Sequence, residues 1–413
     1  MIEVFAPEIT KMGTEVRLSA VIRRDGMEKT LWYQTTQEYG AYFCTERADA
    51  FLVALFPYAL QLGEDIRLHA PVSEALLHSL QTYEMPFLCG LSPQYHAIGI
   101  EAETACDGIA NAGHVGTGIS CGVDCLSSLI RHGIEETRPH YKIDTLALFN
   151  TGYYGDEVEK KSDSYRRYVD MAEDFSKRFQ YRFLYVDSNV AEIVRMDFSS
   201  VVTFLTNSVV LALQKYFSCY YFASSTSILA FDPIVSESSS YDLLTMQCIS
   251  TETLRFFSGS NTMTRVEKTR LIADYPEIFE WVYPCMDGNP PKNCGRCEKC
   301  RRTIMAMDAI GRLEQAKTAF DLTYYQKHHA SLYAYMLVRE HPRVDPDRAP
   351  LYLEIHEELK KNKRHIPLLA WIYVPYQFYR AKWRRPLRAF ARRVINGLRG
   401  SKRTKSDEKR GNV

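Results

Sequence analysis

Cys285, Cys294, Cys297 and Cys300 stand in a C-x8-C-x2-C-x2-C spacing, late in a chain of 413 residues that holds eleven cysteines. Gaps of two residues let successive thiolates converge on one ion across a tight turn. Four thiolates satisfy zinc tetrahedrally at about 2.3 Å. Asn293 and Gly295 suit such a turn. Four unrelated core cysteines so closely spaced are the weaker explanation in a chain this poor in cysteine. The C-x2-C-x2-C run also occurs in iron–sulfur proteins, so an iron–sulfur cluster stands as the alternative to a structural zinc site. Lys292, Arg296, Lys299, Arg301 and Arg302 lie in the same stretch. Their charge would balance an anionic tetrathiolate or attract an anionic substrate, and solvated surface charge is the plainer account.

The second chemical segment is Ser120-Cys121-Gly122-Val123-Asp124-Cys125, followed by helical spacing at Leu126, Leu129 and Ile130. A small loop entering a helix directs backbone N–H groups outward, and the helix N-terminus favours negative charge. Gly122 would let the backbone approach a phosphate, Ser120 would supply a hydroxyl donor, and Asp124 could hold the loop or a magnesium ion. On residue types alone an ordinary strand-to-helix connection is the commoner origin of such a loop. No Gly-Lys-Ser/Thr follows, which excludes a Walker loop, and the glycine spacing excludes a dinucleotide fingerprint.

This segment resembles the pyrophosphate loop of the N-type ATP pyrophosphatases (the PP-loop, adenine nucleotide alpha hydrolase-like family), whose pattern is Ser-Gly-Gly-x-Asp-Ser. Cys121 replaces the first glycine and Cys125 the last serine. Loop and cysteines in this order resemble the 7-cyano-7-deazaguanine synthases of that family over roughly residues 113–310. PP-loop proteins of polysaccharide gene clusters are as similar. The resemblance implies binding of ATP and Mg2+ along Ser120–Cys125 and near Asn150, Asn207 and Ser224. It also implies Zn2+ on the four cysteines. Asp124, Arg265 and Lys268 are the catalytic candidates, with Arg265 and Lys268 meeting phosphate or carboxylate. The implied activity is that of an ATP-dependent adenylating ligase. ATP is cleaved to AMP and pyrophosphate, a carboxylate or carbonyl oxygen is activated, and a nitrogen nucleophile attacks. The expected partner is a small-molecule acceptor, such as a nucleotide sugar or a deazapurine-like acid. The two cysteine replacements leave two alternatives: a nucleotide-binding regulatory protein, and a sulfur transferase using Cys121 or Cys125.

The elements that must position these residues are readable from periodicity. TLALFN (145–150) and RFLYVDSN (182–189) are short apolar runs ending in polar residues, with a polar helix expected from about Ser162 to Phe179 between them. A helix around TFLTNSVVLALQKYF and a strand at CYYFASS follow. Alternating strands and helices predict an α/β fold, a doubly wound parallel sheet with its ligand beyond the carboxyl ends of the strands. Asn150, Asp187 and Ser224 would then face one crevice. Residues 1–108 mix strand patterns with two helices, the second capped by Ser73, and predict an N-terminal α+β domain. The nucleotide-binding domain is placed at 109–320 and a helical region with a basic tail at 321–413.

Composition adds a charge split. From Arg380 to Val413 there are 13 Lys and Arg against 2 Asp and Glu, a surplus of +11. With +1 overall the remainder carries −10. Trp383, Leu387, Phe390, Val394 and Leu398 recur at helical spacing among five arginines. Such a basic amphipathic tail suits an anionic membrane surface, while a packed C-terminal helix and RNA binding are the competing accounts. The start of the chain lacks a secretory pattern and no run of about 18 apolar residues appears. A cytoplasmic protein, peripheral at the inner membrane face and open to oligomerisation, is the expectation.

Overall fold

The computed structural model describes residues 1–153, 163–287, 289–346 and 348–384. The basic tail expected at 383–398 therefore lies outside the described residues beyond Arg384. Contacts divide the chain into two units, Met1–Asn293 and Cys294–Val413.

The first unit is built on one sheet. Its strands, in chain order, are β1 (Ile2–Val4), β2 (Glu8–Met12), β3 (Glu15–Arg24), β4 (Met27–Thr36), β5 (Ile66–Leu68), β6 (Val72–Ser73), β7 (Ile100–Glu101), β8 (Thr104–Ala105), β9 (His114–Gly118), β10 (Thr145–Asn150), β11 (Arg182–Ser188), β12 (Phe217–Ala223) and β13 (Arg255–Gly259). Among the described residues, eleven of these form a single sheet in the order β13-β12-β9-β10-β11-β4-β3-β1-β5-β7. Strand β2 is added on β3, and β6 and β8 pair separately. From β13 to β11 every pairing is parallel. The fold is α/β with a large, mostly parallel sheet. All six residues of β10 are buried, as expected of a parallel strand covered on both faces.

The chain runs outward from β9 through β10 to β11, then returns to β12 on the other side of β9. That reversal puts the topological switch point at the carboxyl ends of β9 and β12, the usual place for a ligand in such sheets. Asp163–Phe179 connects β10 to β11, and Phe198–Ala212 leads toward β12. Phe198–Ala212 packs on the helix Asp49–Leu62, with Phe56 and Phe204 rings 6.2 Å apart and Tyr33 Oη donating to Ser208 Oγ at 3.0 Å. Ala147, Phe149, Leu184, Val186, Phe217 and Phe256 share this core with both helices.

Strands from before residue 108 continue the same sheet. β4 pairs antiparallel with β11 through Asp187↔Gln34 and Ser188↔Tyr33. Ser188 Oγ donates to the Trp32 carbonyl at 2.7 Å, and Thr35 Oγ1 to that of Tyr185 at 2.7 Å. Strand β4 ends at Thr36, and Gln37–Gly40 turns into a short helix. Ser73 caps its helix as expected, accepting the Leu76 N–H at 3.0 Å.

The second unit is helical in its described part: Glu298–Ala309, Thr323–Arg339, Ala349–Lys361 and Leu368–Tyr379. Its anchor is Asp308, which accepts from Tyr325 Oη at 2.7 Å, Tyr333 Oη at 2.8 Å and Arg364 Nη2 at 2.6 Å. Burial works against the Asp308 carboxylate, but His329, 3.4 Å from its Oδ2, together with these donors holds its pKa far below the usual range. Among the described residues, no helix is long and apolar enough to cross a membrane.

Candidate functional site

Strand β9 ends at Gly118, and Ile119–Gly122 leads into the helix Val123–Leu129. The helix is held close to the sheet. At Gly259, on β13, an added Cβ would stand 2.2 Å from Ser128 Oγ on that helix. Within the loop it is Cys121, not Gly122, that takes the left-handed conformation, at φ 55°. Gly122 is extended, with φ −73° and ψ 167°. A β-carbon is tolerated at position 121 at the modest cost of a left-handed non-glycine residue.

Both loop thiols point into protein. Cys121 is fully buried and Cys125 nearly so. Burial pushes both thiols up, Cys121 well above the ordinary range. Cys125 Sγ donates to the Gly122 carbonyl at 3.2 Å and stands 3.7 Å from Ser120 Oγ. The replacement at 125 thus ties the loop to its own helix instead of presenting a free donor.

Asp124, in the first turn of the helix, is the electrostatic centre. Arg265 Nη1 lies 2.8 Å from its Oδ2 and Lys268 Nζ 3.1 Å from its Oδ1. Lys268 also donates to the Ser224 carbonyl at 2.6 Å, just past the end of β12. Both cations come from the helix Arg265–Ala273. That helix opens with a capping box in which Thr264 Oγ1 accepts the Glu267 N–H and Glu267 accepts the Thr264 N–H. Burial pushes Asp124 up, but Arg265 and Lys268 outweigh it and hold the carboxyl below its ordinary value. Lys268, 1 % exposed, is lowered by burial, with Asp124 opposing. Arg265 Nε is buried without a hydrogen-bond partner.

Asp242 belongs to the same electrostatic neighbourhood and was not singled out in the sequence. It accepts from Ser258 Oγ at 2.7 Å, and burial pushes it up to about 6, with Lys268 among the groups that oppose this. The available signal was an acidic residue opening a helical run after three serines. Asn150 Nδ2 donates to Asp187 Oδ1 at 2.9 Å, joining the ends of β10 and β11. Asn150 Oδ1 is buried without a partner. Asn207 is fully buried, its amide turned back on the Thr203 carbonyl of its own helix at 2.6 Å. The structure therefore brings Ser120–Cys125, Ser224, Arg265 and Lys268 together. It sets Asn150 beside Asp187 at the neighbouring strand ends and leaves Asn207 inside the helical core.

The four cysteines converge as their spacing predicts, with all four Sγ atoms within 4.8 Å of one another. A tetrahedron with bonds of about 2.3 Å has edges of about 3.8 Å, so a small contraction closes the set on one ion. Backbone N–H groups aim at the sulfurs. Cys294 Sγ accepts from Arg296 at 3.4 Å and Cys297 at 3.3 Å, and Cys297 Sγ caps its helix by accepting from Cys300 at 3.5 Å. Gly295 makes the turn at φ 63°, and a Cβ there would stand 2.7 Å from the Asp321 carbonyl. Arg302 is committed to Glu298 at 3.1 Å and is largely buried, which corrects its reading as free loop charge. The set can bind a metal ion and is compatible with zinc or iron–sulfur.

Within the first unit, the residues that flank Cys285 are tied to the loop at Ser120. Tyr283, two residues before Cys285, donates its backbone N–H to the Cys121 carbonyl at 2.7 Å. Asn293 Nδ2 in turn donates to the Val282 carbonyl at 2.7 Å. Comparison with family models, with curated proteins and with solved structures finds no match to this chain.

Proposed function

We propose that the first unit binds the phosphates of ATP at the Ser120–Cys125 loop and adenylates a small-molecule acceptor, releasing pyrophosphate. The observation that carries this reading is the Asp124–Arg265–Lys268 cluster, set between the helix that follows β9 and the end of β12. Two cations and a helix N-terminus there suit a polyanion. The strand order β11-β10-β9-β12-β13 supports the adenine nucleotide alpha hydrolase-like fold. Asp124 would hold magnesium, which supplies charge neutralisation to the triphosphate. Incoming phosphate oxygens would draw Arg265 and Lys268 away from Asp124 and free its carboxylate. The acceptor oxygen attacks the α-phosphorus, the bond to the β-phosphate oxygen breaks, and a nitrogen nucleophile then displaces AMP. Zinc is the preferred ion on the four cysteines. A four-iron cluster holds its cysteine sulfurs at its outer corners, further apart than a single ion does.

One observation favours a second reading, nucleotide binding without turnover. Both oxygens of Asp124 are already engaged by cations, and Cys125 spends its donor on the Gly122 carbonyl. Sulfur transfer is the weakest reading, because burial keeps both loop thiols protonated.

Calorimetry with ATP and a pyrophosphate-release assay with carboxylate acceptors separate these readings. ATP should bind, and Lys268→Ala should weaken it at least about tenfold. Pyrophosphate release dependent on an acceptor supports the ligase. Binding without release supports the second reading, and no ATP binding at all overturns both.

A further inference from the structure

The helix Leu368–Tyr379 is built inside out. Its packed stripe is Ala370, Val374 and Gln377; Ala370 and Gln377 are buried, and Gln377 Nε2 donates to Ser331 Oγ at 2.9 Å on the neighbouring helix. Its outward face carries the apolar mass. Leu368 is 85 % exposed, Ile372 71 %, Leu369 61 % and Trp371 57 %, and Tyr376 and Tyr379 are also exposed. A helix in water turns such residues inward. Contiguous exposure of this kind marks an interaction surface.

The charge around it identifies the occupant. Between Glu358 and Asp407 the sequence contains no acidic residue and fifteen Lys and Arg, on both sides of the helix. Lys360, Lys361 and Lys363 precede it, and Arg380, Lys382 and Arg384 follow. A second copy of this face would bring cations against cations, and RNA would leave the aliphatic side chains in water. An anionic lipid surface satisfies both properties: acyl chains receive the leucines and isoleucine, headgroups receive the cations, and Trp and Tyr sit at the boundary. Twelve residues span about 18 Å, well short of the hydrocarbon core, so the helix would lie in the interface.

We propose that Leu368–Tyr379 is a membrane-interface helix that inserts its Leu368–Ile372–Tyr376 face into anionic phospholipid bilayers. This rests on no feature of the nucleotide site. Flotation of the full chain with vesicles tests it, comparing phosphatidylcholine alone with a phosphatidylcholine–phosphatidylglycerol mixture. The chain should float with the anionic vesicles, and Trp371 emission should shift to the blue and be quenched by brominated lipid. In a Trp383→Phe background, the further change Trp371→Phe should abolish that quenching. The double variant Ile372→Glu, Tyr376→Glu should lose at least about tenfold in vesicle partition, with unchanged thermal melting to show that the fold survives. Equal flotation of the double variant, no flotation of the parent, a dimer sealed through this helix, or displacement of the chain from vesicles by RNA would each overturn the proposal.

Discussion

At the scale of single residues, buried acids decide how the first unit responds to pH. Glu84 is fully buried and accepts a hydrogen bond from Thr245 Oγ1 at 2.7 Å. Burial pushes its carboxyl up to about 7, against about 4.3 in an unfolded chain. Between those values the folded state binds more protons than the unfolded state, so stability falls as pH rises from about 4 to about 7. Glu84→Gln cannot ionise. It should match the parent near pH 4 and exceed it at pH 8 by on the order of 3 kcal/mol, read as a higher melting temperature. Equal melting of the two at pH 8 would contradict this. Asp124 behaves in the opposite sense. Its depressed carboxyl contributes stability above the unfolded value, lost as pH falls through the folded one. Asp124 could be picked out in the sequence because it follows a small loop before a helix. Asp242 could not, because its role arises only when β13 and its own helix bring it near Lys268.

At the scale of elements, local spacing was legible and long-range pairing was not. The runs TLALFN and RFLYVDS match β10 and β11 because a buried parallel strand writes itself as a continuous apolar run. The cysteine turn was legible for a similar reason: its ligands lie within a few residues of one another. The junction of β4 with β11 was not, since it joins residues more than 150 positions apart through hydrogen bonds that leave no local pattern. The inverted helix Leu368–Tyr379 was also opaque, because an apolar run reads the same whether it faces in or out. The turn itself offers a sharp test. Gly295→Ala adds a left-handed alanine and a contact with the Asp321 carbonyl. It should cost about 1–3 kcal/mol of stability and lower metal retention in a chelator competition. Unchanged retention and melting would mean that the turn adopts another path.

At the scale of the whole molecule, the four cysteines are where an ion would enter the folding of the chain. Elemental analysis of purified protein should find about one zinc per chain, and iron with acid-labile sulfide would replace that assignment. Cys294→Ser should leave well under half of that content. Because ion binding and folding of such a loop are one process, strong chelation should lower the melting temperature and open residues 285–300 to proteolysis. Retained melting after complete metal removal would show that the helices of the second unit hold without the ion.

The link from Tyr283 to Cys121 also has a meaning in time. Lys268 lies 144 positions after Asp124, and Tyr283 follows later still. At synthesis rates of about 5–20 residues per second, Asp124 leaves the ribosome roughly 7–30 s before the lysine that neutralises it. Until then Arg265 and Lys268 cannot pair with its carboxylate, and Tyr283 cannot donate to the Cys121 carbonyl. The Asp124 cluster therefore cannot be completed by a nascent chain that stops at β12. A fragment ending before Arg265 should expose the Ser120 loop, and ribosome stalling within 225–285 is where premature capture by chaperones or proteases would concentrate.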